Sequence, residues 1–183
     1  KNKKNIKAMV NLYQLEIKEE RYNKSLSIID EILKVDKIDF VIKDKAYVYY
    51  KLNRITESKE ICNNFLIKNE NDIVCLNIIG LCHFSKKEII EAEKIFLKAL
   101  KINNKDLSIL NSLGRLYHEI RDTKKAEKFY KQAFLINNKS YQVLNNIAGF
   151  YREEGEYNKA TFYYLEALKI NPKNSSILNN LAK

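Results

Sequence analysis

The chain has 183 residues, a formal net charge of +10, 45% hydrophobic residues, four Gly and one Pro. So little Gly and Pro leaves small room for strands or long loops, and no stretch approaches the ~18 continuous apolar residues of a membrane span. The positive charge admits acidic partners, nucleic acid or an anionic surface, but Lys far outnumbers Arg and the lysines are scattered among glutamates, the pattern of a solvated helix face.

Taken in order, the chain repeats one pattern. Residues 6–38 hold a first helix, KAMVNLYQLEIK, and a second marked by Tyr22, Ser25, Ile29, Ile32 and Leu33 at helical spacing. Residues 39–72 carry Ala46 and Tyr49, then Ser58, Cys62, Phe65 and Leu66. Residues 73–106 carry Leu76, Ile79 and Gly80, then Ala92, Phe96, Ala99 and Leu100. Residues 107–140 carry Leu110, Leu113, Gly114 and Tyr117, then Ala126, Tyr130, Ala133 and Phe134. Residues 141–174 are the cleanest copy: Leu144, Ile147, Ala148 and Tyr151, a break at Gly155, then Ala160, Tyr164, Ala167 and Leu168. Residues 175–183 restart the unit and stop, which predicts a capping helix or a partial repeat. Ser58, Ala92, Ala126 and Ala160 stand 34 residues apart, so the period holds two helices.

The small residues Ala46, Gly80, Gly114 and Ala148 share a column where the two helices of a repeat should approach closely. Tyr13 occupies that column in the first repeat, which predicts a splayed, shifted or capping unit there. Between paired helices stand Asn53, Lys87, Arg121 and Gly155, of which Asn and Gly suit a left-handed helix end. Between repeats, Asn69, Asn103, Asn137 and Asn171 should end one helix, while Asp72, Asp106, Ser140 and Asn174 or Ser175 cap the next.

Leu144, Ile147, Ala148, Tyr151, Ala160, Tyr164 and Pro172 match the spacing of the tetratricopeptide repeat (TPR) motif, and the chain resembles that family over nearly its whole length. The resemblance implies an all-α, right-handed α-solenoid, or superhelix, of helix-turn-helix repeats forming a single domain. The absence of an initiator Met from the opening KNKKN is what a piece of a longer protein would show, so targeting segments could lie outside the chain.

No phosphate loop, CxxC, HExxH or GxSxG motif is present, so no catalytic residue, cofactor or metal is expected and the protein is not read as an enzyme. Cys62, Cys75 and Cys82 fall on apolar stripes and read as small buried hydrophobes in a reducing, cytoplasmic compartment. His83 shares a column with Tyr49, Tyr117 and Tyr151 and is expected to pack.

In an arrangement resembling this family, the first helices line a concave groove. Their outward columns place Lys43, Asn77, Asn111 and Asn145 in one row; Tyr47, Leu81 and Arg115 in the next; and Tyr50, Phe84, His118 and Arg152 in a third. Tyr47, Tyr50, Leu81 and Phe84 read as an apolar patch, and Arg115, His118 and Arg152 as a basic one. The expected function is a protein interaction scaffold that binds a peptide with apolar anchors and acidic residues. Self-association through the repeat ends is a second binding mode. The alternatives are an RNA-binding helical-repeat protein and the regulatory or substrate-binding part of a larger enzyme or assembly. A chaperone-tail clamp in repeats two to four is rejected: Lys43 fits its first place, but Tyr47, Ile78, Ser108 and Ser112 stand where that use of the family needs Asn, Asn, Lys and Arg.

Overall fold

The computed structural model describes residues 3–182 as eleven helices joined by short turns. α1 (Lys3–Lys18) packs with α2 (Tyr22–Val35), α3 (Asp39–Lys51) with α4 (Ile55–Lys68), α7 (Leu107–Glu119) with α8 (Thr123–Ile136), and α9 (Tyr141–Glu153) with α10 (Tyr157–Ile170); α5 (Ile73–Ser85) and α6 (Ile89–Ile102) come between the second and third of these pairs in the chain, and a last short helix, α11 (Ser175–Leu181), follows. The fold is all-α, an α-solenoid of helix-turn-helix repeats. The chain forms two compact units, residues 1–95 and 96–183, with the boundary inside α6.

The turns explain why the helices stop where they do. Glu20, Asn53, Lys87, Arg121 and Gly155 all have positive φ, between 57° and 78°. In each case the following amide reaches back over the turn, as Arg54 N–H does to the Tyr49 carbonyl at 2.8 Å and Glu156 N–H to that of Tyr151 at 2.8 Å, closing the helix end. The geometry is imposed on Glu20, Lys87 and Arg121 although a Cβ disfavours it.

The expected caps are in place. Asp72 accepts from Cys75 N at 2.9 Å, Asp106 from Ile109 N at 3.1 Å, Ser140 from Val143 N at 3.4 Å and Asn174, rather than Ser175, from Ile177 N at 3.0 Å. Asp122 adds a cap within a repeat, accepting from Lys125 N at 3.1 Å. Asn103 and Asn137 accept from amides two residues on, each at 3.0 Å, so they turn the chain with their side chains.

Unit 1 has two apolar clusters. Tyr13, Ile29, Ile32, Val41 and Val48 form one; Ala46, Ile55, Cys62, Cys75, Ile78, Ile79 and Cys82 form the other. Close approach within the second pair is visible in Ser58, whose buried Oγ donates to the Ala46 carbonyl at 2.7 Å. Ser25, its counterpart one repeat earlier, has no such partner among the described residues. There the bulk of Tyr13 stands in the small column. The ring is wholly buried, and its hydroxyl donates to Asp44 Oδ2 on α3 at 2.8 Å, so the misfit ties repeat one to repeat two. Burial and the neighbouring carboxylate push the Tyr13 phenol up, and burial raises the Asp44 carboxyl against the opposing pull of Tyr13 and Lys43.

Unit 2 keeps the regular columns. Ala126, Ala133, Ala160 and Ala167 are almost wholly buried. A Cβ on Gly114 would sit 2.6 Å from Tyr130 Cε1, so only Gly allows α7 to meet that ring. Rings then run from Tyr130 to Phe150, Tyr151, Tyr163 and Phe134, with neighbouring centroids 5.2 to 5.8 Å apart.

Candidate functional site

In unit 1 the first helices α3 and α5 lie side by side. Tyr47 and Tyr50 are half-buried, 6.2 Å apart between centroids, and rest on the second apolar cluster. Phe84 is also half-buried, as is Asn77. Leu81 corrects the expectation of an exposed residue: at 7% exposure it belongs to the interior.

Lys43 is likewise not a bare groove cation. Its Nζ lies 2.9 Å from Asp72 Oδ2 and 5.7 Å from the centre of the Phe65 ring. The Asp72 bond raises the Lys43 pKa even though burial opposes it. Burial works against ionising Asp72, but the Cys75 amide and Lys43 more than offset it and the carboxyl stays below its ordinary range.

Two residues outside the expected set extend this face. Phe40 is 47% exposed and Val74 48% exposed, each three residues before Lys43 or Asn77 and therefore on the same stripe. The signal was present in the sequence one turn upstream of the columns. Phe40 and Val74 are thus exposed near the starts of α3 and α5, and the half-buried rings of Tyr47, Tyr50 and Phe84 lie toward the ends of the same helices.

In unit 2 the corresponding helices α7 and α9 also lie side by side. Arg115 is exposed. His118 packs edge-on against Phe150, with centroids 5.2 Å apart, and its Nε2 lies 3.4 Å from Glu153 Oε2. Arg152 Nη1 donates to the Asn180 carbonyl at 3.4 Å. The expected basic patch is thus tempered by Glu153 and by the end of α11.

The asparagine row holds only in part. Asn111 Oδ1 is buried and has no hydrogen-bond partner among the described residues. Asn145 Oδ1 accepts from Asn180 Nδ2 at 3.4 Å, whereas Asn179, aligned with it by period, is exposed.

The residues that could have carried chemistry are otherwise engaged. Cys62, Cys75 and Cys82 are free thiols, wholly buried, as their apolar columns suggested. The contact with Cys75, followed by burial, pushes the Cys62 thiol up; burial does the same for Cys82 despite the Ser58 hydroxyl at 3.6 Å. His83 lies 3.3 Å from Lys59 Nζ through Nε2 and contacts Glu88 through Nδ1. Among the described residues no group of three or more His, Cys, Asp or Glu is placed to hold a metal ion, and no helix is long and apolar enough to cross a membrane.

Paired helices, left-handed turns and two side-by-side first-helix faces define a helical-repeat scaffold. The family model for the tetratricopeptide repeat matches residues 74–106, 107–140 and 141–174, more than half of the chain. The chain belongs to the tetratricopeptide repeat family. Among solved structures it is similar to TTC0263, a thermophilic TPR protein of Thermus thermophilus, at 17% identity over 97% of both chains with a TM-score of 0.84. It is also similar to YrrB, described as a TPR protein with an unusual peptide-binding site, at 15% identity over 96% of this chain and 91% of that one, TM-score 0.61. Against the structure of the APC/C hetero-tetramer Cut9–Hcn1 the identity is 18%, covering 96% of this chain and 35% of that one, with a TM-score of 0.72. At these identities the likeness is one of fold. No curated protein matches the sequence.

Proposed function

We propose that the protein is a non-enzymatic interaction scaffold that binds a peptide segment of another protein on its first-helix faces. The α3 and α5 face takes apolar anchors; Arg115 and Arg152 on α7 and α9 take carboxylates. One observation carries the reading: Phe40 and Val74 stand about half exposed on neighbouring helices, flanked by the half-buried rings of Tyr47, Tyr50 and Phe84. Tyr47 and Tyr50 also pack on the core, but Phe40 and Val74 are exposed apolar groups on neighbouring helices, and grouped exposed apolar side chains mark recognition sites. The peptide-binding relative YrrB supports the class of ligand.

The test is selection of binding peptides from an unbiased array, followed by titration of the best binders into Tyr50→Ala combined with Phe84→Ala. Removing two central anchors should weaken binding by at least about tenfold. Unchanged affinity in a variant with a native melting curve would overturn the assignment to α3 and α5.

A further inference from the structure

Repeat two breaks the column order that repeats three to five keep. In repeats three to five the second helix sets an aromatic ring at Phe96, Tyr130 or Tyr164 and an alanine three residues later at Ala99, Ala133 or Ala167, all but fully buried. In α4 the two are exchanged. Cys62, wholly buried, takes the place of the ring, and Phe65, half-buried, takes that of the alanine.

Moving the ring one turn toward the end of α4 accompanies an open cleft. Its volume is about 740 Å³, within the few-hundred to one-thousand Å³ range of ligand sites, and it lies between the C-terminal half of α4 and the start of α3. Ile42, Ile61 and Phe65 supply an apolar floor, which Leu33 extends from α2.

The charges around that floor are not equivalent. Both oxygens of Asp72 are occupied, one by the Cys75 amide and the other by Lys43. Asp39 sits in the first turn of α3, where the positive end of the helix favours it. Lys37 and Lys68, on the two rims, are exposed and have no ion-pair partner among the described residues. Asn64 also lines the cleft, with an amide that can both donate and accept.

We propose that this cleft is a second peptide site, which seats one apolar side chain on Ile42 and Phe65 and holds flanking carboxylates with Lys37 and Lys68. The floor is too apolar to favour a bare anion, and of the exposed rim charges without an ion-pair partner among the described residues Lys37 and Lys68 are positive against Asp39 alone, so the partner that fits is an acidic segment with a single apolar anchor. The inference stands apart from the stripe on α3 and α5 and survives if that stripe binds nothing.

The experiment uses the full chain and synthetic dodecapeptides carrying one central Leu or Phe flanked by Asp and Glu, with Ser-flanked and Lys-flanked versions as controls. Binding is read by fluorescence anisotropy for the wild type, for Lys37→Glu with Lys68→Glu, and for Tyr50→Ala with Phe84→Ala. The expected result is preference of the wild type for acidic flanks, at least a tenfold loss in the charge-reversed variant, and no loss in the ring-deleted one. Because both lysines are exposed, the charge-reversed variant should keep the wild-type melting temperature, and Lys37→Arg with Lys68→Arg should keep the affinity. Absence of binding, indifference to the flanks, or a loss confined to the ring-deleted variant would each overturn the proposal.

Discussion

Units 1 and 2 solve the same packing problem with different materials. Unit 2 alternates alanines with rings and needs few polar contacts inside; its first-helix face carries Ser108, Asn111, Arg115, Gln142 and Arg152. Unit 1 fills its interior with cysteines, isoleucines and a tyrosine whose hydroxyl needs Asp44, and its first-helix face carries Phe40, Tyr47, Tyr50, Val74 and Phe84. The family pattern is matched from residue 74 onward, so the departures concentrate in unit 1. Repeat architecture tolerates such departures where a side chain can reach a partner on the next helix. Those are also the places where a cleft or an apolar face appears.

The largest expected contrast lies in the column shared by Cys62 and Tyr130. Tyr130→Ala should cost about 3–5 kcal/mol, because the ring fills the space against Gly114 and Phe150, whereas Cys62→Ala should cost only about 1 kcal/mol. Urea unfolding monitored by circular dichroism measures both, and equal losses would erase the distinction between the two cores.

Next comes the polar tie of unit 1. Tyr13→Phe keeps the ring but leaves the buried part of Asp44 without its donor, an expected loss of about 1–3 kcal/mol in the same assay. A loss within error would mean that the ring alone secures repeat one.

The turns offer a smaller comparison. Gly155→Ala introduces a Cβ at φ 78° with nothing within 4 Å to clash, so the expected loss of about 1 kcal/mol is backbone strain alone. Arg121→Gly, at the preceding turn with φ 62°, should relieve strain and raise the melting temperature slightly.

The smallest effect is a pH dependence of opposite sign at two carboxylates of unit 1. Asp72 has a lowered folded pKa, so its contribution is present above the ordinary carboxylate value of about 4 and is lost as pH falls through the folded value. Asp72→Asn keeps a cap for α5 and should cost less than about 1 kcal/mol at neutral pH, with the deficit closing in acid. Asp44 has a raised folded pKa, so its ionisation weakens the fold as pH rises from the ordinary value toward the folded one. Stability curves measured from pH 3 to 7 for the two Asn variants should therefore diverge from wild type in opposite directions.

Much of this molecule was readable from residue order because its determinants are local. Helix length, the left-handed turns at Asn53 and Gly155 and the caps follow from residue types within a few positions of each other, and the 34-residue period places Lys87 and Arg121 at the corresponding turns although their side chains do not favour them. The site was less readable. Leu81 and Tyr50 sit in equally outward columns, yet one is interior and the other half-buried, and the difference depends on neighbouring helices. Lys43 looked like a groove cation because its partner, Asp72, is 29 residues away and also caps α5. Phe40 and Val74 escaped the column reading because they lie one turn upstream of the row that the asparagines mark.

Sequence by itself determined that paired helices would form and where their small and aromatic columns would recur, since backbone propensity and side-chain periodicity act within a turn or two. Only tertiary structure decided which outward side chains stay outward, which ions meet, and that exchanging Cys62 and Phe65 coincides with a cleft. Those outcomes depend on distances between atoms that the chain separates by tens of residues, and packing alone fixes such distances.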